Sequence, residues 1–317
     1  MRDVLRRLVA GEITEDQALA EIRAVQLRAL AGRATLDLGR HMRRGMPEVV
    51  LASGKEPRDA ARLVVALAQR QGQGLISRMS DAHRAALREA ADAAGLTVHW
   101  YAAGARAVRD GFAPEAVRGR VGILTAGTSD QPVADEARMV VEACGLKVRL
   151  EADLGVAGLH RFVGPLAAML DWGADAIVVA AGMDGVLPGL IAGLVGVPVV
   201  GLPVSTGYGR GGAGEAALNT MLQSCSTGLV VVNIDNGVGA GSAAVLIATG
   251  AAQGRRRGRS DATTAPTSAA ASSTPTSTGA IARHTSAPPG IAKVKARART
   301  TTKTATASHG KPRRRRP

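Results

Sequence analysis

Aromatic side chains are nearly absent: two Phe, two Trp and two Tyr in 317 residues. Hydrophobic residues nevertheless make up 46% of the chain, so the core must be built from Ala, Val, Leu and Ile, which suits helices packed on a parallel sheet. Cysteine is equally scarce. Cys144 and Cys225 stand far apart with no CxxC pairing, which leaves neither a disulfide framework nor a zinc site. The apolar runs are broken by Gly, Pro or charge well short of a membrane span. No charged-then-apolar leader is expected, because Arg2, Asp3, Arg6 and Arg7 crowd the start. The expected setting is the reducing cytoplasm, with no membrane partner.

The body also lacks an excess of charge. The net +14 resides entirely in residues 251–317, which hold 15 Lys and Arg against the single acid Asp261. The 250 residues before them carry 25 charges of each sign, so a fold-level argument for nucleic-acid binding fails. The tail is rich in Ala, Thr, Ser, Pro, Gly, Lys and Arg and ends in Lys-Pro-Arg-Arg-Arg-Arg-Pro. Such a segment buries too little apolar surface to offset its ordering entropy, so it is expected to be disordered and at most a weak polyanion binder.

What is present is a repeated grammar of short apolar run, small polar loop and helix start. Residues 1–115 are read as a helical segment plus a small α/β domain. Two short helices are expected from Met1 to about Leu30, with Thr14 and Gln17 as a capping box ahead of Ala18, Leu19, Ile22 and Val25. Strands follow at 48–52, 74–78 and 96–101, with helices at 57–71 and 81–93, the latter capped by Ser80. Residues 102–120 read as a link. Lys55 sits in the turn after the first strand, beside a basic cluster of Arg40, Arg43 and Arg44 that is either a solvated face or a phosphate-facing one.

Residues 116–250 are read as a second domain of five strand–helix units. Its strands are expected at 121–125, 147–151, 175–180, 197–202 and 229–234, and its helices near 132–144, 159–172, 187–194, 214–224 and 239–248. The fold class is therefore α/β, a doubly wound five-stranded parallel sheet. In such a sheet ligands bind beyond the carboxyl ends of the strands. The five loops there carry Thr125, Gly127, Thr128, Ser129 and Asp130; Asp153, His160 and Arg161; Gly182, Met183 and Asp184; Ser205, Gly207 and Tyr208; and Asn233 and Asp235. Glycines admit close backbone approach, and the interleaved acids, amides and hydroxyls give directional contacts. Each acid alone also suits a helix cap, and Gly207 to Gly214 alone is only a loose glycine pattern. Four acids on one edge make that edge the candidate site.

Cys225 lies in Ser224-Cys225-Ser226-Thr227-Gly228, after a helix for which Gly228 serves as C-cap. A helix C-terminus disfavours a thiolate, so a reactive Cys225 needs a cationic neighbour, and a cationic substrate supplies one. Cys144 has no such surroundings and reads as core.

Taken as a set, Thr125-Ala-Gly-Thr-Ser-Asp130, Gly155-Val-Ala-Gly-Leu-His-Arg161, Gly182-Met-Asp-Gly185, Gly207-Tyr-Gly209, Ser224-Cys225 and Asn233-Ile-Asp-Asn-Gly237 resemble the LarB family of nickel-pincer nucleotide cofactor biosynthesis. The family's carboxyl domain is similar to the aminoimidazole ribonucleotide carboxylases. Leu36-Asp37, Arg40, Gly45, Pro47-Glu-Val49 and Gly54-Lys55 resemble its amino-terminal domain, so the likeness spans roughly the first 250 residues.

The resemblance implies carboxylation of nicotinic acid adenine dinucleotide at pyridinium C5 by carbon dioxide. Phosphoanhydride hydrolysis then gives AMP and pyridinium-3,5-biscarboxylic acid mononucleotide. It implies that the Cys225 thiolate adds at C4 and that the residue at Asp184, a Glu in the family, removes the C5 proton. Asp130, His160 and Asp235 are the candidate water activators, and Arg161 and Lys55 the candidate phosphate contacts. No tightly bound cofactor is implied. Mg2+ suits phosphoanhydride cleavage, but no spacing marks a metal site and the metal ligands stay unassigned. A homo-octamer with sites at subunit interfaces is implied by the purine carboxylase relatives. The competing readings are an aminoimidazole ribonucleotide carboxylase or mutase, and a non-catalytic nucleic-acid-associated protein working through its tail.

Overall fold

Glu56 marks where the first well-formed layer begins. Its carboxylate accepts from the Arg58 and Asp59 backbone amides, and Pro57 follows at the first helical position. The computed structural model describes residues 2–19, 27–30, 34–37 and 45–263. Ahead of Glu56, α1 spans Arg2–Val9, and the Thr14–Gln17 box forms in both directions, at 2.9 and 3.2 Å. The expected second helix does not reach Leu30: β1 (Leu27–Leu30) pairs antiparallel with β2 (Ala34–Asp37). Ile22, Val25, Arg40, Arg43 and Arg44 lie outside the described residues, as does the tail from residue 264.

The small domain contains β3 (Val49–Leu51), α2 (Pro57–Gln71), β4 (Gln73–Ser77), α3 (Asp81–Ala93), β5 (Leu96–Trp100) and β6 (Gly104–Arg109). Its sheet order is β3-β4-β6-β5, with β3 parallel to β4 and the other pairs antiparallel. β6 corrects the expectation that 102–120 is only a link. Its sequence, Gly-Ala-Arg-Ala-Val-Arg, hides an inner strand because Arg106 is buried, with Nε donating to Gln73 Oε1 at 2.7 Å. Burial holds that guanidinium below its usual pKa. Even-numbered Gly74 and Ile76 face α2 and α3, while Leu75 turns to the other side.

A linker leads to β7 (Arg120–Thr125), α4 (Gln131–Ala143), β8 (Lys147–Glu151), α5 (His160–Asp171), β9 (Ala176–Ala181), α6 (Val186–Ala192), β10 (Val199–Pro203), α7 (Glu215–Leu222), β11 (Leu229–Val231) and α8 (Gly237–Thr263). The five strands are all parallel, in the order β11-β10-β9-β7-β8. β9 and β10 are buried throughout, and β7 at every position but Arg120, as a sheet covered on both faces requires. α4 and α8 cover one face, and α5, α6 and α7 cover the other. The chain order reverses between β7 and β9, which makes their carboxyl ends the switch point where such sheets bind ligands.

α8 also moves a boundary. Residues 251–263 are helical rather than part of the tail, Ala252 is buried, and Arg255 pairs with Asp175 at the amino end of β9. None of the described helices is long and apolar enough to cross a membrane.

The reverse side of the small sheet packs on α4. Leu75, Tyr101, Met139 and Ala143 form a buried cluster there. Around it, Gln73 Nε2 donates to Ala143 O (2.8 Å), Tyr101 Oη to Glu142 Oε2 (2.6 Å) and Ala102 N to Asp135 Oδ2 (3.1 Å). The two sheets thus share one helix, and α4 begins at the switch point.

Candidate active site at the sheet carboxyl edge

The turn after β7 is closed by its own side chains. Thr125 is fully buried and its hydroxyl donates to Gly127 O at 2.9 Å. Asp130, 3% exposed, accepts from Gly127 N at Oδ2 and from Thr206 Oγ1 at Oδ1, both at 2.8 Å. Thr125 and Asp130 therefore shape the site; neither presents a free group to a substrate. Thr128 and Ser129 are exposed between them.

Gly182 is where the chain cannot carry a side chain. A Cβ there would fall 2.2 Å from Thr206 Oγ1 and 3.2 Å from Asp130 Oδ1. The turn that follows holds Met183 at φ +48° and Gly185 at φ +65°. It presents Met183 and Asp184 to solvent. Among the four rim acids, only Asp184 accepts from the first turn of its own helix, through a long 3.4 Å bond from Val186 N. Asp153 pairs with Arg161 at 3.1 Å, and Asp235 Oδ1 accepts from Ser205 N at 2.9 Å. Asp130 and Asp184 thus make contacts at helix starts while Asp153 and Asp235 are engaged elsewhere, so helix capping accounts for only part of the set.

His160 and Arg161 open α5, and both are exposed. Arg161 is engaged by Asp153, whereas the His160 ring has no hydrogen bond to another described residue. Ser205, Tyr208 and Asn233 are exposed around the β10 and β11 loops, and Gly207 passes close to the Met183 backbone. The rim is thereby stitched in series: Gly127–Asp130 to Thr206, Ser205 to Asp235, and Asp235 onward to Arg78.

Arg78 carries no signal that sequence reading detected. It follows β4 in the small domain with φ +54°, and its Nη2 donates to Asp235 O at 2.7 Å. Its backbone N–H donates to Glu136 Oε1 at 3.2 Å. Glu136, on the first turns of α4, is 3% exposed, and burial pushes its carboxyl up to about 7. Gly237 lets the β11 loop pass beside it, since a Cβ there would meet Val133 O at 2.2 Å. Thr206 and Glu136 were equally invisible, because their partners are 76 and 58 residues away in the chain.

Cys225 does not sit on the rim. It occupies the connection entering β11, near the amino edge, where Gly228 O accepts from Val199 N at the start of β10. Its neighbours nevertheless fasten it to α6. Ser226 Oγ donates to Gly189 O at 2.7 Å, and Ser224 Oγ lies 2.9 Å from where a Gly189 Cβ would be. Gly189 is one turn into the helix that Asp184 precedes, about 5 Å along its axis from Val186. An exposed thiol and an exposed carboxylate thus flank the same short helix.

Lys55 is exposed in the turn after β3, with its carbonyl accepting from the buried His83 at 3.1 Å. A separate cavity of about 390 Å³ lies at the far end of α4, lined by Glu115, Cys144, Leu146, Val245 and Thr249. Burial pushes the Cys144 thiol up to about 12, so it stays protonated and inert. Among the described residues no group of three or more His, Cys, Asp or Glu is arranged to hold a metal ion.

Comparison with known proteins agrees with this division of the chain. The family model for AIR carboxylase matches residues 120–261, and that for the LarB/PurE-like N-terminal domain matches residues 28–109. An uncharacterized protein of Methanocaldococcus jannaschii is 37% identical over 252 residues, 78% of this chain and 96% of that protein. The chain belongs to the LarB family. An N5-carboxyaminoimidazole ribonucleotide mutase of Thermotoga maritima is 30% identical over 91 residues, 27% of this chain and 51% of that enzyme. This LarB-family chain is accordingly of the carboxylase and mutase type. The AIR carboxylase match continues to residue 261, in keeping with the helical extension of α8.

Proposed function

We propose that the protein carboxylates nicotinic acid adenine dinucleotide at C5 and hydrolyses its phosphoanhydride, releasing AMP and pyridinium-3,5-biscarboxylic acid mononucleotide. A pyridinium carbon is too electron-poor to attack carbon dioxide. The Cys225 thiolate adds at C4, the ring electrons shift to nitrogen, and C5 becomes the nucleophilic carbon of an enamine. C5 then bonds to carbon dioxide. Asp184 takes the C5 proton, aromaticity returns, the C4–S bond breaks and the thiolate leaves. The cationic ring also stabilises the thiolate that attacks it.

The observation that carries this reading is that Asp184 precedes α6 and the connection holding Cys225 is fastened to the same helix at Gly189, with both residues exposed, in a chain of this family. Asp184 is one methylene shorter than the family Glu, so the ring must sit closer to the α6 N-terminus. For hydrolysis, His160 is the water activator best supported, because Asp130 and one oxygen of Asp235 already carry internal bonds. Lys55 and Arg161 contact phosphate oxygens, with Arg161 turning from Asp153. The described side chains do not define a Mg2+ site of their own, and no step here depends on one.

The working form is a homo-oligomer, an octamer by analogy with purine carboxylases, whose subunit interfaces complete each pocket. Exposed Leu159, Val163, Leu190, Leu194 and Leu222, on or beside α5, α6 and α7, supply apolar surface for such contacts. AMP release from nicotinic acid adenine dinucleotide, dependent on added bicarbonate, tests the reaction; no AMP under any metal condition contradicts it.

The partial match to the ribonucleotide mutase supports a second reading, catalysis on an aminoimidazole ribonucleotide. That chemistry needs no thiol. A C225A variant with full activity on the purine substrate would establish it.

A further inference from the structure

Two carboxyl edges converge at Arg78. β3 and β4 run parallel, with Leu51 opposite Ser77 and Ala52 N donating to Ser77 O at 2.9 Å. Lys55 and Arg78 therefore leave the same edge of the small sheet. Arg78 then bridges to Asp235, which follows the edge strand β11 of the large sheet. The bridge spans 157 residues of sequence, so this edge and the rim face each other across it.

Arg78 is held unusually firmly for an exposed residue. A non-glycine residue at φ +54° is strained and persists where its surroundings impose it. Here the buried Glu136 carboxyl holds the backbone amide and the Asp235 carbonyl holds Nη2. Nε and Nη1 have no partner among the described residues. The protein thus fixes a guanidinium in place and leaves one side of its planar fork empty. Beside Asp235 on the rim are two exposed residues: Ser205, whose backbone N–H donates to Asp235 Oδ1, and Asn233, whose side-chain oxygen accepts from Ile234 N.

A rigid guanidinium with unspent donors pairs bidentately with a phosphate group. Lys55 supplies a second cation from the adjacent turn, and Arg161, the other rim cation named above, is paired with Asp153. We infer that Arg78 is the anchor for the phosphate groups of the substrate, reaching across from the small domain, with Lys55 beside it. The substrate class is a phosphate ester or anhydride; its identity as a dinucleotide rests on the function proposed above. Arg78 binds the part of the substrate that does not undergo carboxylation, so its loss should raise KM and leave kcat for carboxylation nearly unchanged.

The test is isothermal titration of inorganic pyrophosphate into the intact protein, comparing wild type, R78Q and R78K. Binding to wild type that weakens at least about tenfold in R78Q, with R78K in between, supports the anchor. Absence of pyrophosphate binding to wild type, or equal binding to wild type and a folded R78Q, overturns it and leaves Arg78 a strut between the domains. If R78Q fails to fold, R78K decides: binding weakened about threefold or more supports the anchor, and unchanged binding overturns it. Failure of the proposed reaction is separable, because a protein that makes no AMP yet binds pyrophosphate through Arg78 loses the reaction and keeps the anchor.

Discussion

Thr206 Oγ1 donates to Asp130 Oδ1 across 2.8 Å and so joins the loop after β10 to the loop after β7 over the switch point. Replacing Thr206 with Val keeps its shape and removes the donor to a buried carboxylate. The expected cost is about 1–3 kcal/mol, read as a lower urea midpoint with unchanged slope. An unaltered midpoint would show that Asp130 is free and open to a catalytic role.

Gly182 tests the same brace from the other side. In G182A the added methyl must displace the Thr206 hydroxyl, which it would otherwise meet at 2.2 Å. The variant should lose about 1–3 kcal/mol, and combining it with T206A should cost less than the two separate losses added together. Strict additivity would separate Gly182 from the brace.

These contacts mark the limit of what local sequence reveals. The five parallel units, the helices over 57–71 and 81–93, the Ser80 cap and the Thr14–Gln17 box all follow from patterns a few residues long. β6 escaped because Arg106 reads as solvent-facing until Gln73 is known to receive it. Residues 251–263 escaped because the change to Arg-rich composition precedes the end of the helix, and the Arg255–Asp175 pair is 80 residues long-range. On the rim, sequence located the loops and the exposed Asp184, His160 and Ser205. It could not show that Asp130 is spent on Gly127 and Thr206, nor that Arg78 arrives from another sheet.

Glu136 gives the protein a pH signature. Burial pushes its carboxyl up to about 7 from an ordinary value of 4.5. Between those values the folded state holds a proton the unfolded state has released, so stability falls as pH rises. The full effect is about 3 kcal/mol. E136Q keeps an acceptor for Arg78 N and removes the titration. The variant should be more stable than wild type at pH 8 and show a flatter stability profile from pH 4.5 to 7. Parallel profiles for the two proteins would contradict the burial argument.

Truncation separates the enzyme from a tail-driven function. Removal of everything after Thr263 should leave AMP release within about twofold of wild type, since the rim lies wholly before that point. Cutting at Gly250 instead deletes the buried Ala252 and the Arg255–Asp175 pair and should lower the melting temperature. Loss of all function in the Thr263 truncation would favour the nucleic-acid reading.

Asp184 and Cys225 carry the chemistry in this account, and both are exposed. Their substitution should therefore reduce turnover without destabilising the fold. D184N is expected to slow carboxylation by about 10²–10⁴-fold, while D184E retains or improves it. A D184N variant of normal activity would remove Asp184 from the proton transfer.

Mass spectrometry of the products formed from nicotinic acid adenine dinucleotide and 13C-bicarbonate, with wild type and C225A side by side, decides whether the Cys225 thiol drives carboxylation. Wild type should yield AMP and a mononucleotide carrying one labelled carboxylate, and C225A no labelled mononucleotide. Wild type that leaves the dinucleotide unlabelled and intact, or C225A that labels it equally well, would contradict that mechanism.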